Sequence, residues 1–229
     1  MKTIINKSGD YEVEEVNAYI FDNEVVPGIK GRKVNIKKSF DNMKDYNAFR
    51  EENIVYDDII PTVSFTSNMD KFIVGGNNRK KEVALILIVT NNNSNYDNIN
   101  NVTLFVNHKL LTINNINRFK DKEIYTYGNN GKYSKEILLN DNTLINTLTD
   151  NRSKYCLSMG KNNDVLSVCK ESNMYTVIPS IIGNYKDVKD NLKNGSIILI
   201  KNNENINVIK KYIYSKGYDI VQLNKLLEE

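Results

Sequence analysis

Hydrophobic residues change texture along the chain. Up to about Lys80 they come in short mixed pieces: Val16 to Phe21 reads as a strand and Pro27-Gly28-Ile29-Lys30-Gly31 as a turn. Val34-Asn35-Ile36 alternates, and Ser39 to Met43 has helical spacing. Ile59 to Phe65 and Asp70 to Val74 read as two more short strands, closed by the turn Gly75-Gly76-Asn77-Asn78. Val83 to Val89 is then an unbroken apolar run whose β-branched content predicts a strand buried on both faces, as in a parallel sheet. Val102 to Val106 is a second such run. From Asp164 to Ser172 the spacing puts Val165, Leu166, Val168 and Cys169 on one helical face, with Asn163 or Asp164 placed to cap it, and Met174 to Ile178 follows as a strand. At the C-terminal end Ser196 to Ile200 reads as a buried strand, and Ile206, Ile209 and Ile213 form an i, i+3, i+7 stripe. Gly217 stands where that helix would stop, and Tyr218 to Leu223 reads as the returning strand. This βαβ pattern predicts an α/β layer architecture closed, or nearly closed, into a barrel.

Composition narrows the class without naming a function. The 229 residues are 40% hydrophobic and 26% charged, which excludes a collagen, a disulfide scaffold and a disordered chain. There are 38 Asn against one Gln, a skew that resembles AT-rich codon usage, so Asn91-Asn92-Asn93 reads as a solvated loop. A net charge of +3 with no block of five like charges argues against a nucleic-acid partner. The longest apolar run, Val83 to Thr90, is far short of the roughly 20 residues of a membrane helix. Met1 to Ser8 lacks the apolar core of a secretory signal, so the chain as given is expected to be either cytoplasmic or trimmed past an anchor.

Several chemistries have no motif here: there is no phosphate-binding Gly-x-x-x-x-Gly-Lys-Ser/Thr loop, no dinucleotide Gly-x-Gly-x-x-Gly and no Gly-x-Ser-x-Gly elbow. His108 is the only histidine, expected at a surface or strand end, which makes a His-rich zinc site hard to build. Cys156 is expected to end a strand and Cys169 lies on the apolar face of the following helix, so a bridge between them is possible in reach but not implied.

Asn194-Gly-Ser-Ile-Ile-Leu-Ile200, followed by Tyr212-Ile-Tyr-Ser-Lys-Gly-Tyr-Asp-Ile-Val-Gln-Leu-Asn-Lys-Leu-Leu227, resembles the end of the polysaccharide deacetylase (NodB-homology) family. Lys81-Glu-Val-Ala-Leu85 resembles the lead-in to that family's first motif, Val102 to Val106 its second strand, and Lys122-Glu-Ile124 the approach to its histidine motif. The resemblance covers residues 71–229 and implies a distorted or incomplete (β/α) barrel there, preceded over 1–70 by a mixed extension of strands and a short helix, as on a divergent Gram-positive branch. Residues 93–101 are too short for the helix that normally joins the first two strands, so the barrel is expected to be incomplete at that point.

The family hydrolyses the amide of acetylated sugars with a divalent metal, usually zinc, held by an Asp and two His, beside an Asp base, an orienting Arg and a distal His acid. Matched motif by motif, the base falls on Ile88 and the metal Asp on Val89, within Ile86-Leu-Ile-Val-Thr90. The two histidines fall on Tyr127 and Gly131, the arginine on Cys156, and the final histidine on Lys201. A slip of one residue brings Asn91 or Asn92 near the metal position, and a neutral amide is a weak zinc ligand. The resemblance therefore implies a pseudoenzyme with no catalytic residues and no metal. Its old mouth, with Tyr127, Asn129, Asn130, Lys201 and Asn202, would suit a sugar ring. Its context implies the outside of a Gram-positive cell and peptidoglycan or another acetylated glycan as partner. The competing reading is a protein-binding module that regulates a cell-wall enzyme or complex through the extension. A third, an active metal-dependent deacetylase, would require zinc.

Overall fold

The computed structural model describes residues 1–46, 48–92, 99–148, 153–201 and 206–229. The chain opens with helix α1 (Lys2–Lys7) and the hairpin β1 (Tyr19–Phe21) and β2 (Glu24–Val26). A second hairpin follows from β3 (Gly31–Val34) and β4 (Tyr56–Ile59), enclosing helix α2 (Ile36–Met43), and then the two-residue strand β5 (Phe72–Ile73). Here the structure corrects the reading of the first 70 residues. Val16 makes only an isolated bridge to Ile29, so the first strand starts at Tyr19. Helix α2 begins at Ile36, three residues earlier than its spacing suggested, because the Asn35 side chain accepts from Lys38 N and caps it. The strand expected over Ile59 to Phe65 ends at Ile59, just ahead of Pro61, which has no N–H to give a ladder, and Phe65–Ser67 is a turn of 3-10 helix.

The barrel follows. Its strands are β6 (Glu82–Val89), β7 (Thr103–Val106), β8 (Glu123–Thr126), β9 (Tyr155–Leu157), β10 (Tyr175–Val177), β11 (Ile181–Gly183) and β12 (Ile197–Ile200), with β13 (Asp219–Val221) last. Between them lie α3 (Lys135–Leu148), α4 (Asn163–Glu171), α5 (Tyr185–Asn191) and α6 (Ile206–Ser215), and α7 (Leu223–Leu226) closes the chain. Parallel ladders join β11, β12, β6, β7 and β8 in that order, and a second sheet runs β1, β2, β5, β10, β9. Strands β6 to β12 thus follow one another around a barrel whose ladders break at two seams, between β8 and β9 and between β10 and β11. The break expected after the first strand is not there: Ile86 to Val89 pair fully with Thr103 to Val106. Of the segment 93–101, expected to be too short for a joining helix, residues 93–98 lie outside the described residues.

Each seam has a substitute. Between β8 and β9 the Tyr133 hydroxyl donates to Leu157 O at 2.9 Å and accepts from Leu157 N at 3.0 Å, so the edge of β9 is satisfied by a side chain. Inside the barrel the rings of Phe105, Tyr125, Tyr155 and Tyr175 form a continuous series, with Tyr125 edge-on to Tyr155 at 5.1 Å across that seam. At the other seam β5 takes the edge of β10. Because β2 pairs with β5 in turn, residues 19–26 share one sheet with the barrel strands β9 and β10, and a boundary at residue 70 runs just ahead of β5. Residues 1–16 and 30–59 make a satellite around Ile4, Val34 and Met43.

Alternation sorts the long strand β6 into two cores: Ala84 and Ile86 face the barrel interior, and Val83, Leu85, Leu87 and Val89 face the helices. The stripe Ile206, Ile209, Ile213 is buried as expected, and Gly217 has φ +73 at the stop. The returning strand β13 pairs with β6, not with β12, so the βαβ unit steps over one strand. Helix α4 is capped by Asn162, one residue before the expected cap, with its side chain accepting from Asp164 N and Val165 N. Helices α3 and α5 carry no such clear stripe in sequence. Gly76 and Gly195 lie back to back at the foot of the barrel; a Cβ on Gly195 would stand 2.2 Å from Gly76 O, and Gly195 has φ +75.

Candidate functional site

The mouth of the barrel is the end at which β7, β8, β9 and β12 finish. Tyr127 follows β8, and its backbone N bonds Val106 O at 2.7 Å, which carries the β7–β8 ladder one step further. Gly128, Asn130 and Gly131 then have positive φ and turn the chain back tightly enough for Gly131 N to reach Tyr127 O at 2.8 Å. A Cβ on Gly131 would lie 3.2 Å from the Tyr127 hydroxyl, so the glycine lets the ring fold over its own loop. Asn130 is fixed by the buried Asn107, whose amide donates to it at 2.6 Å.

Opposite this loop stands the segment between β9 and α4. The two together enclose an open recess of about 350 Å³, lined by Tyr127, Asn130, Ser158, Lys161, Asn162 and Val165 among others. Among the described residues no carboxylate, imidazole or thiol lines it. Ser158 spends its hydroxyl proton on Gly160 O at 2.6 Å, and Lys161 is paired with Glu24 at 2.8 Å. Burial pushes the Tyr127 phenol up, so it stays protonated as a donor.

Of the residues singled out in sequence, Tyr127, Asn130 and Gly131 come together in the recess. Asn129 does not line it: it is exposed, its backbone N bonded to Lys132 O in the turn. Lys201 is exposed after β12 and does not line it either, and Asn202 lies outside the described residues. Ile88 packs on the interior cluster and Val89 on the helix-facing one. Cys156 sits in the middle of β9, not at its end, and turns away from the interior into a cluster with Leu138, Val165 and Met174. There its sulfur is bonded to Cys169, with the Cα atoms 6.4 Å apart. Asn92 is engaged as well, accepting from Arg118 at 3.2 and 3.3 Å.

These residues do not fit zinc. Isoleucine, valine and glycine offer no lone pair, and a protonated phenol is a poor ligand. Among the described residues no three His, Cys, Asp or Glu side chains stand together as a metal cage.

The polar network behind the mouth was not visible in sequence. Asp141 of α3 is fully buried and joins two strand ends: His108 Nδ1 lies 2.6 Å from one oxygen, and the Thr126 hydroxyl donates to the other. Thr126 in turn accepts from Gly128 N at 2.9 Å, and His108 N bonds Gly128 O at 2.8 Å. His108 is thus a strand-end residue with a structural partner, its side chain 36% exposed. Burial raises the Asp141 carboxyl, and the bonds from Thr126 and His108 oppose that shift. No local sequence signal marks Asp141, since its partners lie 15 and 33 residues away.

No protein-family model matches the sequence. The fold is that of the family 4 carbohydrate esterases, the polysaccharide deacetylases. The whole chain matches 94% of BA3943 from Bacillus anthracis, a CE4 family pseudoenzyme, with a TM-score of 0.70 at 17% identity. A mutant of that protein with restored enzymatic activity matches with a TM-score of 0.72 at 18% identity, over 100% of this chain and 97% of that one. The Bc1960 peptidoglycan N-acetylglucosamine deacetylase matches 67% of this chain and 91% of its own, with a TM-score of 0.53 at 16% identity. In sequence, 65 residues, 28% of the chain, are 38% identical to the uncharacterized protein YlxY of Bacillus subtilis, and the match spans 20% of that protein's length. Among the described residues no helix is long and apolar enough to cross a membrane.

Proposed function

We propose that this protein binds a cell-wall glycan without hydrolysing it, on the outer side of a Gram-positive cell. The observation that carries the reading is the make-up of the recess: an aromatic ring, amides, a hydroxyl and an ammonium, with no proton acceptor strong enough to activate water among the described residues that line it. Amide hydrolysis needs a nucleophilic water and a general base, and the positions where the fold's enzymes would carry them hold Ile88 and Val89. Binding needs neither. Tyr127 offers an apolar ring with a donor at its tip, and Asn130, Ser158 and Asn162 offer groups that match hydroxyl and acetamide functions. The likeness to a pseudoenzyme of the same fold and to a peptidoglycan deacetylase supports both halves of the reading. A buried Cys156–Cys169 bridge suits an oxidising compartment.

The test is co-sedimentation with insoluble peptidoglycan, with chitin in parallel. Saturable binding is expected, weakened about tenfold by Tyr127→Ala, the equivalent of about 1.4 kcal/mol. Absence of binding, or binding indifferent to Tyr127, would sink the reading.

A further inference from the structure

Strand β1 departs from the alternation that orders the rest of the fold. Neighbouring residues of a strand face opposite ways, so one of each pair is normally covered. Here Tyr19, Ile20 and Phe21 are 66%, 37% and 58% exposed. Their register with β2 sets Tyr19 beside Val26 and Phe21 beside Glu24. These four face outward, on the side that α4 covers over β9 and β10, and the part over β1 and β2 stays open. A hollow of about 150 Å³ lies there, lined by Tyr19, Phe21, Glu24, Val25, Val26 and Val74.

This hollow and the mouth recess share a wall. Glu24 lines the hollow, Lys161 lines the recess, and the two are ion-paired at 2.8 Å. One step further along, the Asn23 amide donates to Asn163 Oδ1 at 3.4 Å. A ligand that leaves the recess past Lys161 therefore meets Glu24 and then two aromatic rings, which at i and i+2 on one strand stand roughly 7 Å apart. Apolar ring faces interrupted by charged hydrogen-bonding groups match a pyranose chain, whose sugars present C–H faces and hydroxyl or acetamide edges in turn. An apolar peptide segment or helix would fill the hollow but strip water from the Glu24–Lys161 pair while offering its remaining donors and acceptors nothing polar in return.

We propose that Tyr19 and Phe21 form a second glycan subsite, so that one polymer chain is held across the recess and the β1–β2 hairpin. This rests on the glycan reading of the recess and adds that the ligand is a polymer, with affinity that grows with chain length.

Isothermal titration with the dimer and the hexamer of N-acetylglucosamine tests it. The hexamer is expected to bind about tenfold more tightly than the dimer. Replacing both exposed rings, Tyr19→Ala with Phe21→Ala, should bring the hexamer down to the dimer's affinity while leaving the dimer and the melting temperature unchanged. Equal affinities for dimer and hexamer, both weakened by Tyr127→Ala, would overturn the subsite and leave the recess reading intact. No binding of either oligomer would overturn both. An unchanged hexamer affinity in the double variant, with loss of a self-association seen by sedimentation velocity, would make the strip a protein contact and overturn the subsite.

Discussion

At the floor of the barrel two carboxylates are saturated with donors, whereas no carboxylate of the described residues lines the recess at its mouth. Glu123, at the start of β8, accepts from Tyr125 OH at 2.9 Å, from Leu223 N and Asn224 N at 2.8 Å each, and from the Thr103 hydroxyl. It thereby caps α7, whose Leu223, Leu226 and the following Leu227 plug the interior cluster from below. Glu229 reaches back to Gly28 N and Phe65 N, both at 2.9 Å, and to the Ser64 hydroxyl, tying the end of the chain to its first 70 residues. Burial and the adjacent Glu123 push the Tyr125 phenol well above its ordinary value, so that proton stays where the carboxylate needs it. The difference teaches where the fold keeps its charge-assisted bonds. With the barrel bolted at the floor, Tyr127 and Gly131 of the mouth turn are expected to carry little of the stability, whereas Ile88 and Val89 belong to the packed cores.

The most severe way to break this comparison is to remove residues 1–70. That deletion takes β2 from β5, Phe65 and Val25 from the interior cluster, and all three partners from Glu229. The remaining chain is expected to show no cooperative thermal transition by circular dichroism; a sharp melt would mean the barrel closes unaided. Glu123→Ala comes next, with a loss of about 4 kcal/mol in urea unfolding, because four donors lose their acceptor together. Its counterpart at the mouth, Tyr127→Ala, should cost less than about 1 kcal/mol. Equal costs at the two ends would erase the contrast. Replacing both cysteines with serine should lower stability by about 3 kcal/mol, the value for a loop closed over 13 residues, and reductant should then have no further effect on unfolding.

The smallest effect sharpens the comparison through Asp141, the carboxylate just behind the mouth. Its folded form holds a proton more tightly than the unfolded chain, so its contribution is fully present below the ordinary carboxylate value of 3.8. That contribution is lost as pH rises through the higher folded value. Unfolding free energy measured against Asp141→Asn over mildly acid pH should therefore fall with rising pH by less than one proton's slope, then level off. A rise with pH would reverse the assignment.

Much of the barrel was legible from residue pattern. β6 and β12 could be read because unbroken apolar runs, seven residues in the first and four in the second, serve both cores at once, and α6 because its stripe is regular. The errors came where a side chain at one place answers a backbone group far away. Asn35 and Asn162 cap helices that propensity would start elsewhere, in a chain where 38 asparagines hide the few that cap. Tyr133 stands in for a strand ladder across 24 residues, which no local spacing displays. Of the candidate mouth residues, Tyr127 and Asn130 lie in one short turn and line the recess, whereas Asn129 and Lys201 do not. Ser158, Lys161 and Asn162 were missed because only the packing of α4 brings them opposite.

By itself the sequence determined the α/β class and the buried strands, since those depend on which residue types are present and on periods of two and 3.6 along the chain. The tertiary structure alone decided where the barrel opens, which carboxylates bind the floor and which polar groups share the recess. Those are meetings between residues as far apart as 201 positions, as in Gly28 and Glu229, and contacts at that separation are set by closure of the whole fold.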